Sequence, residues 1–537
     1  MNAIAKIHRV LIVVPPLVDY DSELEQRSGK PDFEKRRLVS PVEPMTCAAD
    51  LLARGYEVKV FDLGTCETTR ERRSAYRAAV EEFSPDAVAV IQSILTFATA
   101  SDWDGRFAFE TAREFRPDAV TILTGTHATN YPGQAVADGI ADYSIRGEVD
   151  IVIGELLDTV NNGQDLNRVA GLSFLKNSEV QNSQLYPTVE IKDLPLPAYQ
   201  LLDDWHHTRY AQVLERGKIR YPEKSPHYRD IVTSRSCVLR CSFCSVAHLR
   251  GNRQKHRRKS LNQVMAEIDQ ALDNGIEEIH FFDDLFAETP EQIIDFTNEF
   301  ARRGYKFPWF VAQGMNLWSL NDEALHAMTE TGMYRLIAPL ESGSNRVLRE
   351  VVGKIHSSTD HHHDMVVTAH KLGMEVIGMY VVGMMGETRD EVLETMTFAE
   401  AHPEIDYSVF SIATPMIGTR LTKKIHQAGH LKDTLAVNKI IKRTVALYHT
   451  EEFREYELGI IRTFDWDRIN FSTLERRIKY ARMVGVALEE LDQLREHSKQ
   501  TFFSYFPDYD GPLSFKDLHG QPGLYADLEP VIPDTLY

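Results

Sequence analysis

Cysteine is scarce in this chain, five residues in 537. So few thiols in so long a chain exclude a disulfide framework as the source of its stability. Long hydrophobic runs are also missing. Val10-Leu11-Ile12-Val13-Val14 follows a basic start at Met1–Arg9. It is too short for a signal-peptide core and no small-residue cleavage site follows, so it reads as a first strand. The longest later apolar stretch, around Val376–Met385, falls well short of a membrane span. Positive charge is in deficit: 60 Lys and Arg stand against 79 Asp and Glu, a net charge of −19. That argues against a nucleic-acid partner, because phosphate binding needs clustered Lys and Arg. No G-x-G-x-x-G follows the first strand, which weakens a dinucleotide-binding reading. The expected location is the cytoplasm.

What is present is concentrated at Cys237-Val-Leu-Arg-Cys241-Ser-Phe-Cys244, between the strand-like Asp230-Ile-Val-Thr and a basic stretch ending at Lys259. Thiolates spaced C-x3-C-x2-C suit one soft metal centre, iron–sulfur or zinc, better than magnesium or calcium. Structural zinc wants four protein ligands, and Cys47 and Cys66 lie far upstream. A three-cysteine cluster with one open iron fits better. Positions 237, 241 and 244 also share one helical face, so a buried stripe is the competing explanation. Arg240 and Ser242 between them, and the loss of the apolar phase after Cys244, weigh against it.

This motif after a strand resembles that of the radical S-adenosylmethionine (SAM) superfamily. The resemblance implies that Cys237, Cys241 and Cys244 hold a [4Fe–4S] cluster whose fourth iron takes the amino and carboxylate groups of SAM. An electron then cleaves SAM to methionine and a 5′-deoxyadenosyl radical, so an external donor such as flavodoxin or ferredoxin is implied. Phe243 matches the family's aromatic position beside the adenine.

At this length the chain should divide into two or three domains. Residues 1–193 alternate strands (Arg9–Val14, Glu57–Asp62, Asp86–Gln92, Ala119–Thr124, Tyr143–Arg146) with helical stretches (Pro44–Arg54, Arg70–Phe83, Phe107–Phe115, Gln134–Asp138, Ile151–Asn161). Such alternation predicts an α/β, Rossmann-like parallel sheet with helices on both faces, and ligands beyond the carboxyl ends of its strands. The loops in question are Pro15-Pro16, Gln92-Ser93-Ile94, Gly125-Thr126-His127 and Gly147-Glu148. Pro44–Asp62, Thr124–Pro132 and Asp142–Glu148 resemble the cobalamin-binding domain ahead of many radical SAM cores. Relatives usually carry two glycines before the histidine and G-E-G-E at the last strand, where this chain has Gly125-Thr126 and Gly147-Glu-Val-Asp150. The resemblance implies cobalamin with its own base displaced, touched by Ser93, Gly125, Thr126, His127, Gly147 and Glu148. It gives His127 contact with the corrin rather than ligation of cobalt, since D-x-H-x-x-G is absent after the first strand.

Residues 194–229, with Leu194-Pro-Leu-Pro197 and Trp205-His-His207, read as a linker with an extended path. Residues 230–420 form a second alternating series, with strands at Asp230–Thr233, Glu278–Phe282, Trp309–Gln313, Tyr334–Leu340, Glu375–Val382 and Tyr407–Ala413. Helices are expected at Leu261–Asn274, Pro290–Arg303, Asp322–Glu330, Thr359–Leu372 and Arg389–His402. Six strands match the partial, TIM-like (β/α)6 barrel of radical SAM cores, with chemistry at the carboxyl ends of the strands. By resemblance Asp284 holds the methionine ammonium, Glu341 and Ser342 of Glu341-Ser-Gly-Ser344 meet the ribose or methionine part of SAM, and Gly378 lets the adenine approach the backbone. Gly386-Glu-Thr388 and Thr414-Pro-Met-Ile-Gly-Thr-Arg420 complete the family pattern. The basic stretch Arg250–Lys259, including Arg253, is open to two readings, an anion site or a solvated charge run. His361-His-His363 reads as an exposed helix face.

Residues 421–537 read as helical (Leu421–Gln427, Val437–His449, Leu474–Glu496), then irregular from Pro507, packing over the barrel to shape the substrate pocket. The resemblance as a whole implies a cobalamin-dependent enzyme. The expected reaction methylates an unactivated carbon, or phosphorus, of a small molecule, with one SAM as methyl source and one as radical source. The alternatives are radical ring closure, ring contraction or oxidation without methyl transfer, and a non-catalytic cobalamin carrier. Methylthiotransferases need a second three-cysteine site, which Cys47 and Cys66 cannot provide.

Overall fold

The computed structural model describes residues 6–15, 40–66, 69–93, 105–186, 189–202, 223–251, 255–430, 446, 448–522, 524–525 and 527–531. Two α/β layers dominate. The first is a seven-stranded sheet in the order β2-β1-β3-β4-β5-β6-β7. Its members are β1 (Arg9–Val14), β2 (Glu57–Asp62), β3 (Ala87–Ile91), β4 (Val120–Thr124), β5 (Tyr143–Ile145), β6 (Leu172–Lys176) and β7 (Glu179–Asn182). β1 to β5 run parallel, and β3 and β4 are buried at every position. Helices on both faces leave no polar side, which is why these strands are nearly continuous Ala, Val, Ile and Leu. β6 and β7 add an antiparallel hairpin that the sequence pattern did not announce. Its turn, Asn177-Ser178, has φ of 52° and 64°, the paired left-handed geometry of a tight hairpin.

The second layer is a six-stranded, all-parallel sheet in the order β15-β14-β13-β12-β11-β8. It comprises β8 (Tyr228–Ile231), β11 (Glu278–Phe281), β12 (Trp309–Val311), β13 (Met333–Glu341), β14 (Glu375–Val382) and β15 (Tyr407–Ile412). Sequential neighbours with a helix after each strand give the expected partial barrel. A short ribbon, β9 (Ser234–Arg235) with β10 (Arg257–Arg258), projects beside its first strand. Helix starts are explicit in the sequence: Ser260 with Gln263 and Thr388 with Glu391 form reciprocal capping boxes. The helix-side core gathers Phe281, Phe296, Phe300 and Trp309, whose rings meet edge-on or tilted at 4.9–6.5 Å.

β8 and β15 are the barrel's unclosed edges, and β15 is masked by the C-terminal region. Asn470 both accepts from Ser408 N (2.7 Å) and donates to Ser408 O (2.9 Å), supplying a side chain where a further strand would pair. The expected single helix Leu474–Glu496 is two, Leu474–Met483 and Leu488–Tyr505, broken where Gly485 takes φ +66°. Tyr480 packs on Tyr407, the first residue of β15, at 4.6 Å between rings. These helices therefore meet the barrel at the amino ends of its strands, opposite the cysteine loop. Most of the expected helix Val437–His449, the linker residues Trp205, His206 and His207, and Pro16, Ile94 and Arg253 lie outside the described residues. Ala198, in the first described part of that linker, donates to Met45 O, and the Arg229 guanidinium covers the Tyr199 ring at 3.8 Å.

Candidate functional site

The cysteine loop leaves the barrel just after β9 and is held from three sides. Ser242 N donates to Val352 O (2.8 Å), the end of a π-helical turn Val347–Val352, and Leu421 N donates to Ser242 O (2.8 Å). Arg420 bonds to Arg240 O. Cys241 and Phe243 pack with Met384, Met385, Val381 and Val352. Burial pushes the Cys237 thiol up to about 11 and the Cys241 thiol up to about 12, and raises Cys244 as well. These thiols stay protonated at neutral pH until a metal takes the proton's place. Among the described residues no three His, Cys, Asp or Glu side chains are grouped as round a single metal ion. A cube-shaped cluster spreads its thiolates over separate irons, so three cysteines on one fastened loop fit it better than zinc.

Two carboxylates follow β11 and do different work. Asp283 is fully enclosed and accepts from Thr233 N (2.7 Å) and Ser234 N (2.5 Å), with burial pushing its carboxyl up to about 7. It fastens the end of β8. Asp284 accepts from Ser236 N (2.8 Å), directly before Cys237, which puts its carboxylate at the cysteine loop. Glu341 ends β13 in a left-handed conformation, φ +61°, unusual for a non-glycine residue. Its carboxylate meets Lys354 Nζ at 2.7 Å, and Lys354 also donates to Pro339 O. Burial opposes the charge on Lys354, but Glu341 and the nearby Cys241 hold its ammonium above the usual lysine range.

Two expected SAM contacts are turned away. Ser342 Oγ lies 3.0 Å from Thr395 Oγ1 on the helix Arg389–Ala401 and takes Ser344 N, so it fixes its own turn. At Gly378 a Cβ would lie 3.0 Å from Leu340 and 3.2 Å from Ile405, both of the helix-side core. The glycine there serves strand–helix packing and opens no room on the barrel's inner face.

At the carboxyl edge of the first sheet the sequence-flagged residues do come together. A Cβ on Gly125 (φ +89°) would sit 1.7 Å from Gln92 O, so the loops after β3 and β4 touch backbone to backbone. Thr126 Oγ1 donates to Ser93 O (3.5 Å), His127 N to Gln92 Oε1 (2.9 Å) and Gly147 N to Thr129 Oγ1 (2.8 Å). His127 sits in a short helix, Thr126–Asn130, rather than a bare turn, its ring tilted on Tyr131 at 5.2 Å. That helix touches the helix Val246–Leu249, which follows Cys244, and His248 Nε2 meets Asn130 Oδ1 at 3.1 Å. The turn of Thr414–Arg420 closes the same spot, since a Cβ on Gly418 would fall 2.2 Å from the His248 ring.

Among the described residues of the basic stretch, Arg250, Arg257 and Lys259 are turned inward onto carboxylates. Arg257 gives both terminal nitrogens to Glu148 (2.7 and 2.5 Å), Arg250 joins at 3.2 Å, and Lys259 pairs with Glu267. Burial works to raise the Glu148 carboxyl, but the three surrounding arginines hold it at about 2. Glu148, expected at the corrin, is committed to this joint. The His361–His363 run also divides. His362 is buried, with burial pressing its ring down to about 3, while His363 Nδ1 faces His402 Nε2 at 2.8 Å.

With this geometry in place, residues 231–399 match the sequence family described as the radical SAM superfamily. That match marks residues 231–399 as a radical SAM domain. Among its relatives is an uncharacterized methyltransferase of Pyrococcus horikoshii, 28% identical over 78% of this chain and 83% of that protein. Another is the cytidylyl-2-hydroxyethylphosphonate methyltransferase of Streptomyces wedmorensis, 27% identical over 76% of this chain and 85% of that protein. The fold is similar to that of the cobalamin-dependent radical enzyme OxsB, solved with aqua-cobalamin and SAM bound. The TM-score is 0.62 at 16% identity, covering 94% of this chain and 74% of that one.

The sequence did not flag several residues that shape this radical SAM site. Lys354, Glu43 and Arg235 carry no motif, and Asp150 appeared only as the last position of Gly147-Glu-Val-Asp150. His248 carried one available signal, a polar residue four positions after Cys244 and hence on the same helical face. Among the described residues no helix is long and apolar enough to cross a membrane.

Proposed function

We propose that this radical SAM enzyme depends on cobalamin and methylates an unactivated carbon, or phosphorus, of a small biosynthetic intermediate. The observation that carries the reading is the meeting of the two halves: the helix after Cys244 touches the helix bearing His127. Residues 1–193 then form the cobalamin domain, 194–229 the link, 230–420 the radical SAM core and 421–537 its helical support. The methyltransferase names of two relatives and the cobalamin-bound fold of a third support the same reading.

Cys237, Cys241 and Cys244 would hold the cluster, and the apolar collar of Phe243, Val381, Met384 and Met385 keeps water from it. Asp284 would take the SAM ammonium, and Glu341, held in place by Lys354, accepts from ribose hydroxyls. Ser93, Gly125, Thr126, His127 and Gly147 would line the corrin. When bound, these groups supply a one-electron reductant, a methyl and radical source, and a methyl carrier. The chain's own part is to orient them across one water-poor gap, with Val232, Phe282, Ala312 and Ile337 making the barrel interior apolar. The electron would come from a donor such as flavodoxin or ferredoxin.

The test is anaerobic reconstitution with iron, sulfide and cobalamin, then reduction with SAM and candidate metabolites. A product heavier by one CH2 is expected. Loss of hydrogen without added carbon would replace methylation by ring closure or oxidation, and a reduced protein that never cleaves SAM would leave only cobalamin carriage.

A further inference from the structure

Arg250 stands six residues after Cys244, and its side chain is 1% exposed. It faces carboxylates from two loops and from the first turn of the helix Val42–Ala53. Nε donates to Asp284 Oδ2 at 3.0 Å, and Nη1 reaches Glu148 Oε1 at 3.2 Å and Glu43 Oε1 at 3.7 Å. The line continues at both ends. Glu43 Oε2 takes the Ser93 hydroxyl at 2.6 Å, and Asp284 takes the amide of Ser236, next to Cys237. Arg250 Nη2 is buried and has no hydrogen-bond partner among the described residues. Arg250, through Glu43, thus links the loop after β3, beside Gly125 and Thr126, to the carboxylate at the cysteine loop.

We infer that Arg250 is a positioning residue that couples SAM binding at Asp284 to the order of the corrin-side loops at Ser93 and Gly125. This rests on the assignment of those two regions above. The physical reason is that a guanidinium is a planar fork whose charge, once dry, cannot shed a partner cheaply. When Asp284 engages an ammonium, its pull on Arg250 changes, and Arg250 can settle only by changing its hold on Glu43, hence on Ser93. Two sites biased through one buried element are coupled reciprocally.

Hydrogen–deuterium exchange on the full, cluster-reconstituted chain without cobalamin reads this directly. Adding SAM to the wild type should slow exchange around 278–284 and also, by roughly fivefold, in segments 90–93 and 123–127. In Arg250→Gln the remote slowing should vanish while the slowing at 278–284 persists; Arg250→Lys, which keeps charge but loses the fork, should recover part of it. Glu43→Gln cuts the line one contact farther from SAM and should give the same loss, which covers the case in which Arg250→Gln folds poorly. Remote slowing unchanged in both Gln variants, or absent from the wild type, overturns the coupling. Neither corrin nor turnover enters this readout, so a failure of methyl transfer would leave it standing.

Discussion

Arg235 and Asp150 form a two-pronged ion pair between the first sheet's edge and the short ribbon beside the barrel. Nη1 reaches Oδ2 at 2.6 Å and Nη2 reaches Oδ1 at 2.7 Å, with side-chain exposures of 2% and 0%. Asp150 follows β5 of the first sheet and Arg235 belongs to β9, two residues before Cys237. A buried pair adds little over an apolar pair of equal volume, yet breaking one side leaves a bare charge in the interior. Asp150→Ala should therefore cost about 3–5 kcal/mol in chemical denaturation. The double variant Arg235→Met with Asp150→Leu should recover most of that loss. Additive losses in the double variant would mean that the pair is not the unit of the joint.

The strands that carry this joint were legible because parallel strands covered on both faces are continuous apolar runs, as at Val10–Val13 and Ala87–Ile91. The joint itself was not. Arg250 meets Glu148 across 102 residues and Arg235 meets Asp150 across 85, and no local pattern separates a buried arginine from a solvated one. The direction that Gly378 faces was hidden for a related reason: a strand covered on both faces does not declare which face looks into the barrel. The cysteines and the loops at Ser93, Gly125 and Gly147 were legible because glycine, short polar residues and thiols follow apolar strands there, a local signal.

The three loop cysteines should be separable from the other two by metal content. Ala at Cys237, Cys241 or Cys244 should remove the iron–sulfur chromophore and most of about four irons per chain after anaerobic reconstitution. Cys47 is enclosed in the first sheet's core, its thiol 3.6 Å from Val149 O, so Cys47→Ala should keep the full iron load. Iron retained in all three loop variants would remove the cluster from this loop.

Glu387 makes the chain less stable as pH rises from the acid range to about 8. Its Oε2 accepts from Gly383 N (2.7 Å) and Met384 N (3.0 Å), while Oε1 is buried without a hydrogen-bond partner among the described residues. Burial pushes its carboxyl from the ordinary 4.5 up to about 8 despite those two amides. Below about pH 4.5 both folded and unfolded chains are protonated; from there to about 8 only the folded chain keeps the proton, so stability falls as pH rises. The metal-free protein should lose about 3 kcal/mol from this group between pH 5 and pH 8. Glu387→Gln, which mimics the protonated form, should flatten that part of the profile. An equally steep decline in the variant would assign the effect to other groups.

Gly125 and Gly139 test whether the loops after β3 and β4 depend on a backbone contact or only on glycine's freedom. Both have positive φ, +89° and +68°. Around Gly139 a methyl group meets nothing within 4 Å, so Gly139→Ala carries only the left-handed strain of about 1 kcal/mol. At Gly125 the same methyl group would fall 1.7 Å from Gln92 O, and its ψ of −142° places it in a region nearly reserved for glycine. The carbonyl cannot yield without pulling Ser93 and the amide of His127, which are tied to the same loop pair. Gly125→Ala should therefore cost at least about 3 kcal/mol, since clash adds to strain, and weaken cobalamin binding well beyond Gly139→Ala. Thermal melts and equilibrium titration with hydroxocobalamin read both quantities. Equal losses for the two variants would show that the loops after β3 and β4 need not touch.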